Sequence, residues 1–250
     1  MKERKKTKPL KRKRKTPKKI FIGFGILYGL IIAIFSEIHT GTPVYEFPSP
    51  ENDNMNAQSS YEVQDDTILQ GNALNIVYYQ QADPRWGSKL YGPNNTIAKF
   101  GCGPTILATL VSSLTNEKIT PDFMAEWAYN NGYFSYNGGS YHTIISEAPK
   151  SFGLLVESVT DYSEEFILQE LATGKLIVVL MGAGTFAEQG HFILLRGTTL
   201  EGKILIADPA SYENSIKEWE LKTIIEQAKY GYGSGGPMWS VYKTTPIEQT

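Results

Sequence analysis

One cysteine, Cys102, stands in a chain of 250 residues, and its solitude excludes two things. No internal disulfide can form, and one thiolate does not make a cysteine-ligated zinc site. Histidine is nearly as scarce, with three in the chain, so any chemistry that needs an imidazole has few candidates. There is no internal repeat and no low-complexity tract beyond a basic N-terminus. No cysteine stands in a lipobox, and the small-residue pattern of a cleaved signal peptide is poor after Ala33.

The charge that is present is divided unevenly. The net charge of −2 hides twelve Lys/Arg in residues 1–19 against the single Glu3, followed by twelve Lys/Arg against 25 Asp/Glu in the rest. Residues 20–36 then run seventeen positions without a charge, at the short end for a membrane span. A basic run beside an apolar run predicts an uncleaved signal anchor, with residues 1–19 cytoplasmic and everything after the anchor outside. That adjacency explains the basic tail better than nucleic-acid binding does, and no nucleic-acid partner is expected. Residues 37–74 are polar and rich in Pro, Asn, Ser and acids, which predicts a flexible stalk. Residues 75–245 remain for one folded domain large enough to hold a core. An exported domain without disulfides is compatible with a Gram-positive type of cell surface.

Within that domain the pattern changes midway. A short strand is expected at 75–79. Apolar residues at helical spacing (Ile106, Leu107, Leu110, Val111, Leu114) predict a helix from Cys102 to Leu114, with Pro104 in its first turn. A second helix should start at Thr120-Pro121-Asp122 and end near Asn131-Gly132. A third should follow Ser140 and stop before Gly153, its last turn disturbed by Pro149. Strands are expected at 154–159, 176–181, 191–197, 203–208 and 238–243, with one helix at 163–173. Helices first and sequential strands later predict an α+β fold with an antiparallel sheet.

Cys102 lies in a glycine-rich turn, Phe-Gly-Cys-Gly-Pro-Thr, at the start of its helix. There the partial positive charge of the first turn favours thiolate over thiol, which makes Cys102 a candidate nucleophile. The plainer reading is a buried cysteine acting as a small hydrophobe. A thiolate enzyme also needs a base, a group that orients the base and an oxyanion donor. His39 falls in the stalk, and His142 reads as a surface or satisfied histidine in the first turn of a helix. His191 opens a strand directly after the glycine-rich loop 182–190 and is the candidate base. If Gly197 pairs with Gly202 across a four-residue loop, His191 lies opposite Asp208. Opposed residues share a face with Cβ atoms ~5 Å apart, so the Asp208 carboxylate can orient the imidazole. Ile193, Leu195, Ile204 and Ile206 complete that face as an apolar stripe. A one-residue slip would send Asp208 to the other side. Taken alone, Asp208-Pro209 is an ordinary turn initiator at a strand end.

These residues carry a family resemblance. Tyr-Tyr-Gln-Gln-Ala-Asp-Pro-Arg-Trp (78–86), Gly-Cys-Gly-Pro-Thr (101–105), Gly-His-Phe-Ile (190–193) and Ile-Ala-Asp-Pro (206–209), in this order, resemble the C39-like cysteine peptidases. The resemblance spans roughly 75–245 and implies a papain-like fold, N-terminal helices packed on a C-terminal antiparallel sheet. It implies that Cys102 is the nucleophile, His191 the general base and acid, and Asp208 the orienting carboxylate. Gln81, or its neighbour Gln80, would be the oxyanion-hole glutamine, joined by the backbone N–H of Cys102. The best-known members cut leader peptides in the cytoplasm and are fused to exporters. A domain outside the cell with no transporter segment departs from that pattern.

The expected activity is therefore amide hydrolysis through a thioester, with no cofactor and no metal. A peptide or protein is the expected substrate, cell-wall peptides being among those within reach of a membrane tether. Two rivals use the same residues or the same fold. One is a surface-tethered peptide- or glycan-binding module with little turnover, its groove lined by Trp86, Trp127, Tyr133, Tyr136, Trp239 and Tyr242, although core and rim packing explains these aromatics more simply. The other is a thioester acyltransferase.

Overall fold

The computed structural model describes residues 66–71, 74–136 and 138–244. The expected basic tail (1–19), the anchor (20–36) and residues 37–65 of the stalk lie outside the described residues. No helix among the described residues is long and apolar enough to cross a membrane.

The stalk is corrected at its end. Thr67–Leu69 (β1) pairs antiparallel with Ile76–Tyr78 (β2), burying Leu69, Ile76 and Tyr78, so ordered structure begins before residue 75. Two-residue strands follow at Leu90–Tyr91 (β3) and Asn95–Thr96 (β4), then a single helical turn, Ile97–Phe100 (α1). Cys102–Leu114 (α2) is the helix the spacing predicts. Residues 103–111 are all buried, because neighbouring elements cover the whole first two turns and more. Pro121–Asn130 (α3) begins at Thr120 with proline in its first turn, as expected. Phe134–Ser135 (β5) and Gly139–Ser140 (β6) form a small ribbon.

The third helix is not continuous. Thr143–Ser146 (α4) gives way to a 3-10 turn, Ala148–Phe152, with Pro149 at its start, and Gly153 ends it at φ 72°. Proline lacks the N–H that an unbroken helix would need there.

The remaining elements are Leu155–Ser158 (β7), Glu164–Ala172 (α5), Leu176–Met181 (β8), His191–Thr198 (β9), Ile204–Ala207 (β10), Tyr212–Ser215 (α6), Glu218–Trp219 (β11), Leu221–Gln227 (α7) and Met238–Tyr242 (β12). Ser163 caps α5 by accepting from the Phe166 N–H. Six of these strands form one antiparallel sheet in the order β11-β10-β9-β8-β12-β7. The fold is α+β, as the sequence predicts.

Both faces of the sheet are covered, which the sequence reading did not anticipate. Val178, Leu180, Phe192, Leu194, Trp239 and Val241 meet the side of α2, α3 and α4. Ile177, Val179, Met181, Ile193, Leu195, Ile204 and Ile206 meet the side of α5 and α7, through Ile167, Leu171, Leu221 and Ile224. The strict alternation along β8 and β9 is the period of two that a strand imposes. Burying each such aliphatic side chain stabilises the domain by about 1.5–3 kcal/mol.

The hairpin register differs from the expected one in an instructive way. The pairs are Ile204↔Thr198 and Leu205↔Gly197, not Gly202 with Gly197. Continued without interruption, that register would set Asp208 against Leu194, on the α2 face and away from the parity of His191. A bulge between Leu205 and Ile206 inserts Arg196 as an extra residue on β9, giving Ile206↔Leu195 and Ala207↔Leu194. Extended one step past the end of β10, this register sets Asp208 beside Ile193. Asp208 is therefore not directly opposite His191 but one same-face position along, and the displacement of two preserves the face.

Arg196 itself turns into the structure. Its guanidinium donates to the backbone carbonyls of Ile206, Gln70 and Ser215, so the buried cation is satisfied by carbonyl dipoles. It joins the bulge, the end of β1 and the segment after Asp208.

Candidate active site

Three elements bring the predicted residues together. Cys102 is the first residue of α2, where the N–H groups have no acceptor within their own helix. His191 is the first residue of β9, and Asp208 follows the last residue of β10. All three positions sit at element ends, where side chains gather at one edge of a layered fold.

His191 Nε2 lies 2.7 Å from Asp208 Oδ1. The thiol of Cys102 is within hydrogen-bonding reach of the same ring. With Nε2 committed to the carboxylate, Nδ1 is the nitrogen left for sulfur. His191 is 7 % exposed and Asp208 fully buried.

The carboxylate is held by more than histidine. Oδ1 also accepts from the Ala210 N–H at 2.9 Å, and Oδ2 accepts from Asn214 Nδ2 at 2.8 Å. The Asp208 N–H donates to Ser215 Oγ, and its carbonyl accepts from the Tyr78 hydroxyl. Asn214 and Ser215 were not singled out in the sequence, and Tyr78 entered only as the first residue of the 78–86 motif. The usable signal was Ser211, which caps α6 by accepting from the Asn214 N–H and so aims Asn214 back at the carboxylate.

The electrostatics follow from these contacts. Burial alone would push the Cys102 thiol up. The imidazole of His191 and the backbone N–H groups of Phe192 and Gly103 outweigh it, and the thiol lies below its usual range. Burial alone would lower the imidazole; hydrogen bonds to Asp208 and Cys102 reverse that and raise it to about 10. Each shift favours thiolate beside imidazolium.

Gln81 is drawn to the same place from both sides. Its backbone N–H donates to Pro209 O, in the turn after Asp208. Its Nε2 donates to Ala98 O at 2.7 Å, in the helical turn before Cys102. That leaves the second Nε2 hydrogen uncommitted, while Oε1 is buried without a partner. Gln80 goes elsewhere: its carbonyl accepts from Trp86 Nε1, and the residue lines a surface hollow with Asp83, Arg85 and Tyr212. The two glutamines thus sit differently: Gln81 is buried between these two segments, and Gln80 lines the hollow.

His142 is half-buried, its ring edge-on to Phe192 and to Tyr232. Burial and the charge of Lys229 hold it below its usual range. It makes no contact with Asp208 or Cys102 comparable to that of His191. Among the predicted aromatics, Trp86, Trp127 and Trp239 are buried, which fits core packing, and Tyr136 is exposed. No group of three or more His, Cys, Asp or Glu side chains suited to a metal occurs among the described residues.

A family model described as the Peptidase_C39 like family matches residues 73–235. The chain belongs to the C39-like peptidase family. The matched span contains Gln81, Cys102, His191 and Asp208, and it begins two residues before the domain boundary expected from composition. A crystal structure from Bacillus anthracis, proposed to be a C39-like peptidase, is 17 % identical and is covered completely by 72 % of this chain, with a TM-score of 0.43. No protein with a curated description matches this C39-like chain.

Proposed function

We propose that this C39-like protein is a cysteine peptidase or amidohydrolase that cleaves an amide bond through a thioester. The observation that carries this reading is the unbroken series from Cys102 through the His191 ring to the Asp208 carboxylate, with shifts that favour the ion pair. Family membership supports a peptidase type of activity in the same direction.

In this mechanism the Cys102 thiolate attacks the carbonyl carbon of the scissile amide, forming the C–S bond and pushing the carbonyl electrons onto oxygen. The free Nε2 hydrogen of Gln81 and the Cys102 N–H stabilise that oxyanion. Imidazolium His191 gives its proton to the leaving amine as the C–N bond breaks. Neutral His191 then takes a proton from water, hydroxide displaces sulfur, and the carboxylic acid and the thiolate return. Asp208 keeps the ring in the required orientation throughout.

Two consequences of the sequence complete the proposal. The basic tail beside the seventeen-residue apolar run at 20–36 supports a single-pass anchor with an extracytoplasmic domain. Peptides at the cell surface, cell-wall stem peptides included, are then the accessible substrates.

The test compares peptides and wall fragments released by cells carrying the wild-type chain and Cys102→Ala. Loss of specific cleavage products in the variant is expected. Unchanged release, with both proteins present at the surface by protease shaving, sinks the hydrolase; protection of the domain from external protease sinks the topology.

A further inference from the structure

A cleft of about 460 Å³ lies on the far side of Ser140 from Gly103, the residue after Cys102. One wall is the β5–β6 ribbon and the start of α4, from Ser140 through Thr143; the other is Gly233-Ser234. Two contacts tie it to the reacting sulfur. A Cβ on Gly103 would stand 2.6 Å from Ser140 Oγ, so the cleft wall rests on the residue after Cys102. The His142 ring lies edge-on to Phe192, the residue after His191.

The walls carry hydroxyls and the His142 imidazole, and beside them stands one cation. Lys229 Nζ lies 4.4 Å from the centre of the Tyr232 ring, the same ring that meets His142. A Cβ on Gly190, the residue before His191, would be 3.4 Å from that nitrogen. Among the described lysines, those at 89, 118, 175, 203 and 222 have carboxylate partners. Lys99, Lys150, Lys217 and Lys243 have no such ion pair and are exposed, where water serves as partner. Lys229 has no such ion pair either, yet it is half-buried. Its ammonium faces the Tyr232 ring, which attracts a cation but carries no opposite charge. A carboxylate on the substrate would supply that charge.

We infer that the site selects substrates bearing a carboxylate close to the scissile bond, with Lys229, beside the cleft, as the specificity-determining residue and His142, Ser140 and Thr143 as hydrogen-bonding walls. The inference rests on the cysteine hydrolase reading above. The carboxylate is either an acidic side chain or a free C-terminus, and a basic side chain at that subsite is rejected by the same charge.

Three chloroacetyl peptides that alkylate Cys102 test this on the folded protein without a known substrate: chloroacetyl-Gly-Gln-amide, chloroacetyl-Gly-Glu-amide and chloroacetyl-Gly-Gln with a free C-terminus. The expected result is a second-order rate about tenfold higher for one acidic probe than for the neutral one, the ratio that 1.4 kcal/mol of charge pairing gives. Which acidic probe gains identifies the source of the carboxylate. Lys229→Met, which keeps the apolar stem, should bring the ratio close to one. Lys229→Glu should invert it, and Lys217→Ala, at an exposed lysine elsewhere, should preserve it. An acid-to-neutral ratio unchanged by Lys229→Met, or no preference in the wild type, overturns the inference. A neutral probe that reacts no faster than a free thiol at pH 6–7 overturns the hydrolase reading instead.

Discussion

Asp208 has two oxygens and three donors, and this imbalance makes a sharp experiment. Oδ1 accepts from His191 Nε2 and the Ala210 N–H, and Oδ2 accepts from Asn214 Nδ2. Asp208→Asn leaves one acceptor oxygen. Turned toward His191 it keeps two contacts, but its new NH2 then faces the NH2 of Asn214, and the Asn214 amide must turn over to present Oδ1 and give up the donor position it holds here. A polar group left unmatched by that turn costs about 1–3 kcal/mol. Asn214→Asp alone is also unfavourable, since it sets a second carboxylate where the Asn214 donor sits 2.8 Å from the first. The pair together restores a donor facing an acceptor. Urea unfolding of the four proteins should give a coupling energy of about 1 kcal/mol or more, with the double variant more stable than Asn214→Asp alone. Alkylation of Cys102 at pH 6–7 should recover in parallel, because the ring is again held. Coupling within about 0.5 kcal/mol of zero would refute the arrangement, because groups that do not share a contact add independently.

Other outcomes follow from the same geometry. Alkylation of Cys102 by iodoacetamide should rise through a midpoint below the ordinary thiol value of about 8.5, since its thiol is lowered; a midpoint at that value refutes the ion pair. Substrate hydrolysis should also fall on the alkaline side, because His191, raised to about 10, stops supplying a proton once pH passes that value; a flat alkaline limb contradicts this. Gln81→Ala should lower kcat by about 10²–10³ with a smaller effect on KM, as loss of an oxyanion donor does; a change confined to KM makes Gln81 a binding residue only. Arg196→Met strips the buried carbonyls of Ile206 and Ser215, and the carbonyl of Gln70, of a donor and should lower unfolding free energy by about 1–3 kcal/mol or more, read by urea denaturation. Leu107→Ala, in the fully buried middle of α2, should cost about 2–5 kcal/mol in the same assay.

The Arg196 bulge also marks where local pattern stops being informative. Apolar alternation placed β8 and β9 correctly to within a residue, because period two is a property of a single strand. Thr120-Pro121 and Ser163 announced two helix starts for the same local reason. Register is different, since it depends on two strands and the turn between them. A bulge leaves no unambiguous mark in either strand, and the expected pairing of His191 with Asp208 was off by two residues. The small ribbons β3–β4 and β5–β6, the strand β1 and the short helix α6 carry too few residues to show a period.

The sequence by itself determined the reagents. One thiol at a glycine-bounded helix start, one histidine free of the stalk and opening an apolar strand, and an aspartate ending the next strand left little choice of partners. Only the tertiary structure decided that they meet. Parity is restored by an inserted arginine, Gln81 rather than Gln80 is pulled inward by Pro209 and Ala98, and Asn214 returns from a cap to hold the carboxylate. The same holds for Lys229: that no carboxylate among the described residues pairs with it is a fact about what surrounds it in space, written nowhere in the residues beside it along the chain.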